Sequence, residues 1–382
     1  MLKRLTNSIL LAVIPTILIW LPFFFRWQNV LGVPIPENGM ATVVANYDGP
    51  LYIVVAKTLY DPILAKAFPF DIPSEYYAAH FPLFPLLIKA FALPLGFPYA
   101  MLFVTVLSSI FALYFFQLLI GEFVEKKHIL WLTLVFALFP GRWLIVRSIG
   151  SPEPLFIGAI IASLYYFRKG KYLWAGIFGA IAQFTKSPAI LLFIGYAVTI
   201  VTTETQKLAT MSSSKWLKQS KPLSYLPLFF IPLALMGVFY FYKIQMNDVL
   251  AYFHSGDNIH LQFPPFQVFN YTQPWVGSFW LEDILFVYLF GALGLAKLMR
   301  QKEDALYWFT GILFATLLFV SHRDIIRYGL PIVPFLFIAF RDTLISKEFK
   351  FAFAILIIPI YLYSLAFISN NVMPISNWAP LI

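Results

Sequence analysis

Eleven stretches of this 382-residue chain are apolar enough to enter the hydrocarbon of a bilayer, roughly 30 Å thick, and they constrain it more than any other feature. They fall near 8–25, 98–120, 129–146, 154–167, 172–185, 188–202, 225–244, 280–296, 305–320, 329–340 and 351–368, several of them short. Composition agrees: 60% of residues are apolar and 12% charged, about half the usual charged share of roughly 25%. That is too little polar surface to cover a soluble globule. A soluble enzyme, a disordered scaffold and a nucleic-acid-binding module are excluded. The expected fold is all-α: a single polytopic membrane domain of about eleven transmembrane helices.

Charge gives the sidedness. With Lys3 and Arg4 inside, 17 of the 27 basic residues fall in inner segments and 10 outside, while the 18 acids divide 7 inside and 11 outside. The positive-inside rule counts Lys and Arg in short loops, so the net charge of +9 is a topology signal. It predicts a plasma-membrane protein with its N-terminus inside and its C-terminus outside. The run Ile9 to Phe25 follows Lys3 and Arg4 like a leader, but no small-residue cleavage pattern follows it, so it reads as a retained first span. There is no cysteine, hence no disulfide framework or thiolate metal site.

The stretch 172–201 would be about 45 Å long as one helix, too long for a straight crossing. A Lys at mid-bilayer costs roughly 2.5–3.5 kcal/mol, so the stretch is expected to break at Lys186-Ser187-Pro188. Outer segments 26–97 and 245–279 are long, and the inner loop 203–222 is polar. The first outer segment carries an amphipathic stretch from Leu51 to Tyr60. Its run His80 to Ile88 is too Pro-rich for a simple span and reads as a re-entrant or interfacial element.

Ionisable groups that gather at a membrane surface mark candidate chemistry. Asp48 precedes Gly49-Pro50 and can be either a helix cap or a general base. Arg142, Arg147 and Glu153 share a short outer connection, where the two Arg suit an anionic partner or a local Arg–Glu pair. Lys186 at the expected break can snorkel or meet a lipid phosphate. Ser321-His322-Arg323-Asp324-Ile325-Ile326-Arg327-Tyr328 is the densest ionisable segment, unless it is only a solvated turn. His254, Asp257 and His260 have no element to fix them as metal ligands, and no metal site is assigned.

The order of these motifs resembles the GT-C membrane glycosyltransferases, most closely the PIG-V-like mannosyltransferases. The matching positions are Asp48-Gly49-Pro50-Leu51-Tyr52, Phe81-Pro82-Leu83-Phe84-Pro85, Ser151-Pro152-Glu153-Pro154-Leu155-Phe156, Thr185-Lys186-Ser187-Pro188 and Arg327-Tyr328. Each is short, and the resemblance rests on their order over most of the chain. It departs from the family at Tyr47, where Trp is frequent, at His80, where a second aromatic is frequent, and at Lys186, where Arg is frequent. The resemblance implies an inverting transfer of a sugar, mannose in the family, from a polyprenyl-phosphate donor to a glycan, lipid or protein acceptor on the outer side.

That chemistry needs a carboxylate to take the acceptor's proton and cations aimed at the charge growing on the leaving phosphate. Asp48 is the expected base. Lys186 and Arg327 are the first expected phosphate ligands, with Arg142, Arg147 and Arg323 behind them. Tyr52, His80, Glu153, His322, Asp324 and Tyr328 are candidate substrate contacts. Inversion asks that base and cations lie on opposite faces of the sugar. No cofactor is implied, since the lipid-linked sugar is a substrate; a divalent metal is left open. The competing reading is a transporter or flippase of a lipid-linked sugar, which would need ionisable groups near the midplane. Nearly all charges here lie in loops. A purely structural subunit would leave the outer charge clusters unexplained.

Overall fold

The computed structural model describes residues 2–211, 222–256, 261–270, 272–276 and 280–382. Asp257, His260, Lys215, Lys218 and Lys221 lie outside the described residues. Among the described residues the chain is all-α but for a hairpin pairing Asn29–Val30 with Val33–Pro34. The helices in chain order are α1 (Leu2–Phe24), α2 (Met40–Val44), α3 (Gly49–Thr58), α4 (Pro62–Ala65), α5 (Leu83–Leu95), α6 (Phe97–Ile120), α7 (Lys126–Leu138), α8 (Gly141–Ser148), α9 (Glu153–Arg168), α10 (Tyr172–Thr185) and α11 (Ile190–Thr210). There follow α12 (Phe230–Met246), α13 (Ala251–His254), α14 (Trp280–Arg300), α15 (Asp304–Leu317), α16 (Ile325–Gly329), α17 (Val333–Ala339), α18 (Arg341–Leu344) and α19 (Lys347–Asn370).

Among the described residues, five helices are long and apolar enough to cross a membrane: Leu2–Phe24, Phe97–Ile120, Ser187–Thr210, Pro222–Met246 and Lys347–Asn370. A sixth span counts α7 and α8 together, bent by 74° at their break. The chain is therefore an all-α, multi-pass membrane protein, and these five or six are the long apolar helices among the eleven apolar runs of the sequence. The other apolar runs form shorter helices packed within the bundle. Helix α9 is apolar because every residue from Glu153 to Leu164 is buried against other helices, and its 16 residues reach only about 24 Å. Helices α10 and α15, of 14 residues each, are shorter still. The expected amphipathic stretch at 51–60 is likewise buried nearly all round, from Gly49 to Ala56.

Helix α1 shows how this core satisfies its backbone. Pro15 and Pro22 lie inside it, and each lacks the N–H that would bond the carbonyl four residues earlier. The Leu11 carbonyl instead accepts from Arg147 Nη2 at 3.1 Å, and the Leu18 carbonyl from the Tyr361 hydroxyl at 3.2 Å. Arg147 Nη1 also donates to the Ala137 carbonyl, one of those left open where α7 ends. A fully buried guanidinium thus ties a proline-bearing span to a broken one.

Close packing of α6 against α9 depends on Gly158, where an added Cβ would lie 2.6 Å from the Phe111 ring. Small residues let apolar helices approach where there is no hydrophobic drive between them in lipid. Segments expected on the inner side meet at one end of the bundle. Glu122 pairs with Arg168 and Lys169, Arg168 with Glu303, and Arg341 donates to Gln301 at 2.9 Å. Glu153, at the other end of α9, belongs to a second charged pole.

Candidate active site

Asp48 sits at the turn between α2 and α3. Asn46, fully buried, donates through Nδ2 to the Thr42 and Ile368 carbonyls at 3.1 and 2.7 Å. Tyr47 then takes a left-handed backbone, with φ 49°. Gly49 follows where an added Cβ would lie 2.7 Å from the Val44 carbonyl oxygen, so only glycine fits. Asp48 occupies the N-cap position of α3, but its side chain makes no capping hydrogen bond. Its Oδ2 lies 3.8 Å from Arg327 Nη1 instead. The capping role does not hold in this geometry.

Three other segments reach the same place. The chain breaks where expected: α10 ends at Thr185, Lys186 is extended with φ −153° and ψ 144°, and a single 3₁₀ turn over Ser187–Ala189 leads into α11. Lys186 Nζ thereby reaches Glu153 Oε1, at 2.8 Å. The same oxygen accepts from Arg327 Nε at 2.7 Å, and the other Glu153 oxygen accepts from the Ser151 hydroxyl. Glu153 is 2% exposed, so a buried carboxylate holds two cations side by side. The expected Glu153–Arg147 pair does not form, because Arg147 is taken by the carbonyls of α1 and α7.

A second network backs the first. The Tyr47 hydroxyl donates to Asp324 Oδ2 at 3.0 Å and accepts from Arg142 Nη1 at 2.6 Å. Arg142 Nη2 also approaches Asp324 Oδ1 at 3.3 Å. Arg327 lies over the Tyr47 ring at 4.2 Å, and Arg142 over Phe367 at 3.9 Å. Burial pushes the Asp324 carboxyl above its ordinary range, against the pull of Arg142 and Arg327. Burial, with Asp324 alongside, also raises the Tyr47 phenol far above its usual value, so it stays protonated and donates. His80, packed edge-on against Tyr52 at 4.7 Å, is held toward its neutral form by burial, which the Asp48 charge partly opposes.

These side chains open onto a cavity of about 430 Å³. Asp48, Tyr52, Tyr76, His80, Glu153, Lys186, Ser187, Tyr252, Arg327 and Tyr328 form its polar wall. The Ser187 and Tyr252 hydroxyls bond at 2.7 Å. Leu191 of α11, Leu235 and Phe239 of α12 and Leu313 and Leu317 of α15 form much of its apolar wall. Of the residues singled out in the sequence, Asp48, Tyr52, His80, Glu153, Lys186, Arg327 and Tyr328 line the cavity; Arg142, Arg147, His322, Arg323 and Asp324 do not. Arg142 and Asp324 stand behind Tyr47, Arg147 lies in the core, and Arg323 is exposed. His322 Nδ1 accepts from the Asp324 backbone N–H at 3.0 Å. His254 pairs with Asp248 at 2.6 Å on the surface.

Sequence reasoning gave no role to Tyr47, Tyr76, Ser187 or Tyr252. Tyr47 and Ser187 each adjoin a residue that was singled out, which is the one signal available for them. Nothing in the sequence brings Tyr252 to Ser187. One expectation about placement also changes. Arg327 lies beside Asp48 rather than across a sugar's width from it.

No protein-family model matches this chain, and no curated protein matches it. Among solved structures, the oligosaccharyltransferase of Archaeoglobus fulgidus, in complex with zinc and sulfate, aligns over 96% of this chain at 15% identity and a TM-score of 0.49. The chain spans about half of that protein, 54% of its length. A likeness at that level fixes neither a fold family nor an activity.

Proposed function

We propose that this chain is an inverting, GT-C-type membrane glycosyltransferase that moves a sugar, mannose by its resemblance, from a polyprenyl-phosphate donor to an acceptor at the outer membrane face. The observation that carries the reading is the convergence of Asp48, His80, Glu153, Lys186 and Arg327, from segments far apart in sequence, on one cavity that is mostly apolar. A carboxylate, paired cations and an apolar wall are what a lipid-phosphate sugar requires.

In this reading Asp48 accepts the proton of the acceptor hydroxyl as its oxygen bonds to the anomeric carbon. The bond to the phosphate oxygen breaks on the opposite face, and the lipid phosphate leaves with the electron pair. Lys186 meets the charge growing there, with the Nη groups of Arg327 beside it. Glu153 takes Arg327 through Nε alone, which leaves the Nη edge for an anion. At 3.8 Å the Asp48–Arg327 contact is an ion pair without a hydrogen bond. A sugar entering between them separates base from cation, as inversion demands. The apolar wall of α11, α12 and α15 takes the prenyl chain.

Purified protein incubated with a panel of polyprenyl-phosphate sugars and candidate acceptors tests this by release of free polyprenyl phosphate. Acceptor-dependent release is the expected result. Donor that is bound, or moved across a bilayer, with the sugar still attached would overturn transfer in favour of transport.

A further inference from the structure

Tyr47 and Asp48 are consecutive, yet both address the Arg327 guanidinium: its Cζ lies over the Tyr47 ring, 4.2 Å from the centroid, and its Nη1 lies 3.8 Å from the Asp48 carboxylate. Neighbouring side chains on extended backbone point to opposite sides. The left-handed backbone at Tyr47, φ 49°, makes the joint contact possible. For a bulky side chain that conformation is a real outlier, and such strain persists only where its surroundings over-determine it. They do so here. Asn46 is tied to the Thr42 and Ile368 carbonyls, Gly49 is pressed against Val44, and the Tyr47 hydroxyl is fixed between Arg142 and Asp324.

We propose that Tyr47 is a positioning residue of the transfer site, seating the Arg327 guanidinium so that its Nε stays on Glu153 while its Nη groups face Asp48 and the incoming donor phosphate. Arg142 and Asp324 hold the Tyr47 hydroxyl from behind, and neither lines the cavity. The ring supplies a flat support for the cation and the hydroxyl stops that support from turning. This rests on the glycosyl-transfer reading, in which Arg327 fixes the distance between proton acceptor and leaving phosphate.

A double-mutant cycle tests it in the full-length protein, reading both turnover and binding of sugar-free polyprenyl phosphate. Tyr47→Leu is expected to lower kcat by about tenfold or more, as for a misplacement on the order of 1 Å. Tyr47→Phe, which keeps the ring, recovers most of that loss. In an Arg327→Lys background Tyr47→Leu should cost less than about twofold, since residues acting through a shared partner are not additive. Equal losses in both backgrounds would show a merely structural role and overturn the proposal. Should Tyr47→Leu fail to fold, Tyr47→Phe carries the cycle, and its smaller loss must likewise vanish in Arg327→Lys. Wild-type protein that binds polyprenyl phosphate without turning over any donor would sink the transfer reading alone; the same non-additivity, read on binding, then decides for or against Tyr47. Protein that neither binds nor turns over would overturn both.

Discussion

Lys186 and Arg147 are both cations in an apolar setting, and the structure gives them different work. Lys186 faces the cavity and is held by Glu153. Its replacement by Ala is expected to weaken donor binding and slow transfer together, because the charge it meets grows toward the transition state. Donor affinity and single-turnover rate check this; wild-type values for both would place the phosphate elsewhere. Arg147 satisfies the carbonyls left open by Pro15 and by the end of α7. Arg147→Met leaves those carbonyls unpaired in the core, at about 1–3 kcal/mol for each buried group. Thermal unfolding should therefore fall markedly, while activity per folded molecule stays near wild type. From sequence the two Arg of the 140–154 connection are indistinguishable, since a Pro-freed carbonyl more than a hundred residues away leaves no local mark. Asp48, Glu153, Lys186 and Arg327 were legible because charge in an apolar chain demands a reason. Their pairing was not, and the nearest partner in sequence, Arg147 for Glu153, was the wrong one.

At the scale of elements, the break between α10 and α11 was the most legible feature, because length and a central Lys-Ser-Pro both argued against one straight helix. The least legible was α9. Apolarity says that a helix avoids water, but it does not say whether lipid or protein surrounds it. The turn that carries Asp48 depends on a distant element: Asn46 Nδ2 bonds the Ile368 carbonyl of α19 at 2.7 Å, and the Met373 N–H bonds the Ala45 carbonyl at 2.8 Å. Asn46→Ala removes the side-chain link and is expected to destabilise the fold by roughly 1–3 kcal/mol. Turnover should fall more than stability explains, because Asp48 loses its anchor. Unfolding curves and kcat measured on the same preparation separate the two effects.

At the scale of the whole molecule, α9 joins two charged poles among the described residues, one holding Glu122, Arg168, Lys169 and Glu303, the other Asp48, Glu153, Lys186 and Arg327. The excess of Lys and Arg in the loops of the first pole predicts that it faces inward. The absence of native cysteine allows a direct check. A cysteine replacing exposed Ser376 should react in intact cells with a membrane-impermeant reagent, and one replacing exposed Lys127 only after permeabilisation. The reverse pattern would put the cavity on the inner side. The central claim is that this cavity transfers a sugar with Asp48 as the base, and the Asp48→Asn variant tests it most directly. Asn keeps the shape and leaves the turn intact, yet it cannot take a proton. Under single turnover with a competent polyprenyl-phosphate sugar, the rate should fall on the order of 10²–10⁴-fold while donor binding survives. A well-folded variant that binds donor and keeps more than about a tenth of the wild-type rate would contradict the account, since loss of a general base costs far more than that.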